Sequence, residues 1–283
     1  MKKQVLVVLA CCGVFMAAGL PGAGAGSDGT TVCDQNTQTF SGTTTNLIVR
    51  IGGYCAIDNA TITQDLVVQN GASTDVTNSS IGYDETIDGD SNDTLTNSTV
   101  GHDVKVQWAS QLVTGLATIG NDLIATHPAS IQIGGTGGRT TVGHDVLING
   151  SPGPPQKADF AFDSLCDLSV GNDLLMTNRW VNFGFTIGDG CGGQPDTVEH
   201  DLVVTNDEAL ASHHFGPSEL DVGDIQVGND ATFSGNSAVP GGYLEFNDNT
   251  IAGDATCSKN TPSITGDAAD GPNNAGGTNN GCP

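Results

Sequence analysis

A short polar phrase returns along the chain, and each copy is followed by alternating aliphatic residues. The phrase is an aliphatic residue, usually Gly, a variable residue, then Asp. It reads Ile62-Thr63-Gln64-Asp65, Ile81-Gly82-Tyr83-Asp84, Val100-Gly101-His102-Asp103, Ile119-Gly120-Asn121-Asp122 and Val142-Gly143-His144-Asp145. It continues as Val170-Gly171-Asn172-Asp173, Val198-Glu199-His200-Asp201, Val227-Gly228-Asn229-Asp230 and Ile251-Ala252-Gly253-Asp254, and Thr43 to Asn46 is a degenerate first copy. Starts at 43, 62, 81, 100 and 119 are 19 residues apart; those at 142, 170, 198, 227 and 251 follow at 23, 28, 28, 29 and 24. After the Asp, Leu66/Val68, Val104/Val106, Leu123/Ala125, Val146/Ile148 and Leu202/Val204 fill the same two slots. Cys55/Ile57, Thr74/Val76 and Ile131/Ile133 form a second pair. Period-two alternation in short runs predicts strands with one buried face. Its recurrence at a near-fixed period predicts a solenoid, in which each turn buries its apolar face against its neighbours.

The expected fold is therefore all-β: a single parallel β-helix of about ten turns, with three short strands per turn. A 19-residue turn leaves a narrow aliphatic interior, so function is expected on a face, a loop or an end. A hexapeptide left-handed helix needs 18 residues per turn; the extra residue and the later insertions favour a right-handed one. Turns up to residue 134 carry no insertion. From about 149 each turn extrudes a loop, at 149–165, 178–195, 206–222 and 236–248. The expected organisation is a leader over 1–25, an N-terminal cap and first turn over 26–58, the solenoid over 59–256, and a C-terminal cap and tail over 257–283.

The ends set the compartment. Lys2 and Lys3 precede an uncharged apolar run from Val5 to Leu20, and Ala23-Gly24-Ala25 offers a small-x-small cleavage site. That is the pattern of a secretion signal cut after Ala25, and the run is short for a membrane span. Val8-Leu9-Ala10-Cys11 resembles a lipobox, but the apolar run continues past Cys11, which favours a free exported chain over a lipid-anchored one. Six cysteines then remain: Cys33, Cys55, Cys166, Cys191, Cys257 and Cys282. Outside the cytoplasm an even number suggests disulfides, although six cysteines allow about 15 pairings. Sequential pairing would staple both open ends and tie two loops together.

Composition narrows the partners. The formal charge is −24, and −26 once Lys2 and Lys3 leave with the leader. Such a field repels nucleic acid and anionic lipid. Aromatics make up only 5% of residues against 40 Gly, which suits strands and turns. A polysaccharide or a surface protein is the expected partner, and a monomer the expected state.

The turn motif, met most closely in Ile251-Ala252-Gly253-Asp254, is similar to that of bactofilin-type polymer-forming β-helices. The opening Cys33…Cys55 and the ending Cys257…Cys282, with its Asn/Gly/Pro-rich tail, resemble a group of exported bacterial β-helix proteins of unassigned function. The resemblance covers nearly the whole chain after the leader. It implies the fold and imports no activity. Two departures stand out: bactofilins lack a signal peptide, and their phrase usually has Gly one place later.

Candidate chemistry is sparse. The loops carry Phe160, Phe162, Trp180, Phe183, Phe185, Phe215 and Tyr243. Trp180, Phe183, Phe185, Phe215 and Tyr243 are the candidate binding residues, unless they only fasten the loops down. Asp88-Gly89-Asp90-Ser91-Asn92-Asp93 begins like a calcium loop, with Asp88, Asp90 and Asn92 as ligands, yet it lacks Gly at the sixth place and Glu at the twelfth. The stacked Asp column could hold calcium between rungs, or each Asp could accept N–H bonds in its own turn. His102, His144 and His200 fill one slot in alternation with Asn121, Asn172 and Asn229, two turns apart, too far to share one metal. His213-His214 beside Asp207 and Glu208 is a further candidate. An enzyme of the polysaccharide lyase or hydrolase class would draw on Arg139, Lys157 and Arg179 or on Asp159, Asp163, Asp189, Asp207 and Glu208. Solvated charge is the plainer reading of the three basic residues. The sequence thus favours a non-catalytic module, structural or binding, at the cell surface or in the medium. A carbohydrate-active enzyme and a polymer-forming scaffold are the alternatives.

Overall fold

The computed structural model describes residues 24–25, 29–34, 37–108, 111–134, 138–151, 163–181, 184–188, 194–212, 216–265 and 271–283. These form a parallel β-solenoid without helices. A plain turn has three strands. Leu66–Val68 lies on a first face, Ser73–Thr77 on a second and Ser80–Ile81 on a third, and the chain then rises to Glu85–Asp88 on the first face again. Pairing is in register from turn to turn, as Leu66↔Glu85, Val104↔Glu85, Val104↔Leu123 and Leu123↔Val146 show. The two slots after each Asp therefore become two ladders of buried side chains.

Corners are made by residues that tolerate unusual backbone. Asn59, Asn78 and Asn97 have positive φ between the second and third faces. Asn suits this conformation, and here its side chain also stitches turns: Asn97 Nδ2 donates to Asn78 Oδ1 at 2.6 Å. The recurring Gly of the phrase has a different cause. A Cβ on Gly101 would fall 2.3 Å from the carbonyl oxygen of Gly82 in the turn before.

Both ends are tied as expected. Cys33–Cys55 closes the first turns and Cys257–Cys282 holds the C-terminal segment to the last full turn. Cys166 is disulfide-bonded too, and Cys191, expected opposite it, lies outside the described residues. Disulfides of this kind belong to an oxidising, extracytoplasmic environment. Among the described residues no helix is long and apolar enough to cross a membrane. Of the expected leader only Gly24–Ala25 is described, and it pairs antiparallel with Thr31 and Val32.

The core has one break in its apolar character. Glu85 occupies the inward slot held by Leu66 below and Val104 above, and it is fully buried. Neither of its carboxyl oxygens has a hydrogen-bond partner. Asp93 is buried in the same turn; its Oδ1 accepts from Thr74 and its Oδ2 has no partner. Burial, then the nearby Asp93, holds Glu85 well above the ordinary carboxylate value. Burial pushes Asp93 up to about 7, against the lowering hydrogen bond from Thr74.

Candidate functional site

In the later turns the prism gains a fourth face. Between the first and second faces, Trp180–Val181, Glu208–Ala209 and Ser237–Ala238 form a small parallel sheet. Val181 and Ala209 are buried beneath it, while Trp180, Glu208 and Ser237 share one outward column. The segments expected as loops at 178–195, 206–222 and 236–248 are thus partly strands. Two-residue strands fall below the run length that alternation needs to register, so the pattern showed only an insertion.

Arg179 fixes this face to the prism. Its guanidinium is buried and donates to the carbonyl oxygen of Pro128, to that of Gly150 at 3.0 Å and to Asp163 Oδ2. One side chain thereby joins two earlier turns to the inserted sheet. Its backbone N–H donates to Asp207 Oδ1 at 2.7 Å, that of Asp207 to Asn236 Oδ1 at 3.0 Å, and that of Asn236 to Asn260 Oδ1 at 2.9 Å. Burial pushes Asp207 up to about 7, while the Arg179 N–H and charge pull it down. Burial likewise raises Asp163, opposed by the Arg179 charge. The expectation of a solvated Arg179 is overturned: a guanidinium that meets carbonyls at its own depth need not reach water. Asp163 and Asp207 are buried with it, which removes them from an exposed carboxylate pair.

The other expected site residues separate. Trp180 is 36% exposed and Tyr243 37%. Phe185, expected as a binding residue, is a core residue with no exposure, because it continues the inward ladder through Asp163 and Leu220. Tyr243 lies on the second face, where its hydroxyl donates to Glu219; burial and that carboxylate raise its pKa. Phe160, Phe162, Phe183, Phe215, Lys157, Asp159, Asp189, His213 and His214 lie outside the described residues. Arg139 donates to Thr197 Oγ1 at 2.9 Å and to the carbonyl oxygen of Leu168 at 3.2 Å, so it too stitches turns. Asp88, Asp90 and Asn92 sit on a strand end, a turn and the next strand around Gly89. The segment goes round a prism corner instead of coiling as a helix-flanked loop.

The Asp column resolves differently from expectation. From Asp65 to Asp230 each carboxylate accepts the backbone N–H of the next turn's Asp, and Asp254 accepts that of Thr278, so the bonds join successive turns. Asp84 N donates to Asp65 Oδ1 at 3.2 Å, Asp103 N to Asp84 at 3.2 Å, Asp122 N to Asp103 at 3.2 Å and Asp145 N to Asp122 at 3.0 Å. The series runs on through Asp173, Asp201, Asp230 and Asp254. The preceding slot adds a second bond: Asn121 Nδ2 donates to Asp103 at 2.7 Å, Asn172 to Asp145 at 2.8 Å and Asn229 to Asp201 at 2.7 Å. Where that slot is His, Nδ1 takes the same place, as His102 does on Asp84. Charge repulsion along the stack is thus offset by hydrogen bonds that also set the register. Sequence spacing showed the column, but not which turn its oxygens serve.

On the third face, Thr197, Gln226 and Thr250 line an open groove with Glu199 and Ala252. Glu199 is the carboxylate among its lining residues, and Arg139 donates to the lining Thr197 Oγ1 at 2.9 Å. Comparison of the chain with protein-family models, with curated proteins and with solved structures finds no match.

Proposed function

We propose that the chain is exported and works outside the cytoplasm as a non-catalytic binding module. The solenoid is its rigid frame and the inserted fourth face its working surface. The observation that carries this reading is the buried Arg179–Asp163 pair. A charged pair of this kind is costly to bury, and here it fastens the insertion instead of the repeating prism. A surface held this firmly presents Trp180 in a fixed position beside Glu208 and Ser237. An indole offers a flat apolar face with a polar edge, and carboxylate and hydroxyl neighbours offer hydrogen bonds. Together they suit a sugar ring. The overall charge of −24 disfavours anionic chains, so the ligand is a neutral polysaccharide. The leader pattern and the disulfides support export, and the tied ends favour a solitary prism over end-to-end stacking.

A depletion assay on a panel of neutral and acidic polysaccharides, reading both protein retained and sugar released, tests this. Retention on a neutral polymer without released sugar is the expected result. Released sugar would establish the carbohydrate-active enzyme instead.

A further inference from the structure

At three rungs the Asp column carries more than a hydrogen-bond stitch. Asp84, His102 and Asp103 converge, as do Asp122, His144 and Asp145, and Asp173, His200 and Asp201. Each group joins two successive turns. In the second, His144 Nδ1 lies 3.0 Å from Asp122 Oδ1 and 3.3 Å from Asp145 Oδ2. In the third, His200 Nδ1 lies 2.9 Å from Asp173 Oδ1 and 3.5 Å from Asp201 Oδ2. Nitrogen and oxygen ligands about 2.0–2.2 Å from a zinc ion, at angles of about 90–110°, stand roughly 3.0–3.5 Å apart. The two His–Asp edges of each group, at 2.9–3.5 Å, are close to that length, and all three donor atoms of a group lie within 4.8 Å of one another.

The first group shows what such a place holds. There Lys105 Nζ lies 2.5 Å from Asp84 Oδ2 and 3.0 Å from Asp103 Oδ2, a built-in cation between the two turns. In register above Lys105 come Ile124, Leu147, Leu175 and Val203. The second and third groups therefore have the same two carboxylates and imidazole, but no lysine at that position. We propose that the Asp122–His144–Asp145 and Asp173–His200–Asp201 groups each bind one divalent transition-metal ion of the zinc type. His Nδ1 and one oxygen from each Asp would serve as ligands, and water would fill the remaining positions. An imidazole nitrogen with two carboxylates favours such a metal over calcium, which prefers six to eight oxygens. Binding replaces the Nδ1 hydrogen bond with a metal bond and moves the imidazole proton to Nε2. Each ion would clamp two adjacent turns.

The fold supplies its own control. Asn fills the histidine slot at 121, 172 and 229 and bonds to the same carboxylate oxygen. His144→Asn with His200→Asn should therefore keep the structure while removing the metal's nitrogen ligand. Zinc titration of the full chain by calorimetry, with circular dichroism to check the fold, is expected to show two fewer zinc ions per chain in H144N/H200N than in the parent. Lys105→Ile, which copies the residue at 124, should free the first group and add one ion. An unchanged stoichiometry in H144N/H200N, a parent that takes up no zinc, or no gain in K105I would each overturn the proposal.

Discussion

Replacing Glu85 with leucine raises the stability of the solenoid by about 2.5–6 kcal/mol at neutral pH. A buried carboxyl with no hydrogen-bond partner costs about 1–3 kcal/mol, and a fully buried leucine adds about 1.5–3 kcal/mol of apolar transfer. Leucine is also what the ladder holds one turn below. The pH dependence follows from the direction of the shifts. Glu85 and Asp93 both titrate higher in the folded chain than in the unfolded one. The stability they permit is complete below the unfolded carboxylate range, at about pH 4, and is lost as pH rises through about 7 for Asp93 and through the raised value of Glu85. One proton retained on folding changes stability by about 1.4 kcal/mol per pH unit in that window. Glu85→Leu removes one such proton and relieves Asp93 of its neighbour. Denaturant melts at pH 5 and pH 8 should show the variant ahead at both, with the larger gain at pH 8. A variant no more stable than the parent, or an unchanged difference between the two pH values, would refute the buried position of Glu85.

Arg179→Met lowers stability by about 3–5 kcal/mol, since it leaves Asp163 buried without its partner and Pro128 and Gly150 without a donor. The paired change Arg179→Met with Asp163→Leu should recover most of the loss, because an apolar pair of similar volume replaces a buried ion pair at little net cost. Leucine fits the register at 163, between Ile131 and Phe185 in the inward ladder. Thermal melts of the two variants check the magnitude. Hydrogen exchange at Val181 and Ala209 checks the location, with faster exchange expected there in the single variant. A single variant as stable as the parent would mean that the pair does not hold the insertion.

The fold was legible because its signal repeats. Each Asp phrase restates the same corner, and each aliphatic pair restates the same inward slots, so small irregularities in one turn are outvoted by the rest. What was hard to read is what occurs once. Glu85 stands in a slot that reads Leu66 and Val104 in adjacent turns, and a strict column comparison would have exposed it as an acid in the core. Arg179 offered no such signal. Its partners, Pro128, Gly150, Asp163 and Asp207, come from several turns and converge only through the solenoid's rise. Phe185 was placed on a loop because the insertion hid where the second-face strand resumed. The Asp–His groups lay between these extremes: the column and the alternation of His with Asn were visible, but not the reach of each carboxylate into the next turn.

The most direct test of the inserted face is retention of Trp180→Ala on a neutral polysaccharide that holds the parent. Trp180 is partly exposed, so its removal should leave the melting temperature within a few degrees of the parent's. If the face is the working surface, the variant binds at least about thirtyfold more weakly, as loss of an aromatic anchor at the centre of an interface does. Retention equal to the parent's by a folded variant would contradict the account and place the binding surface elsewhere on the prism.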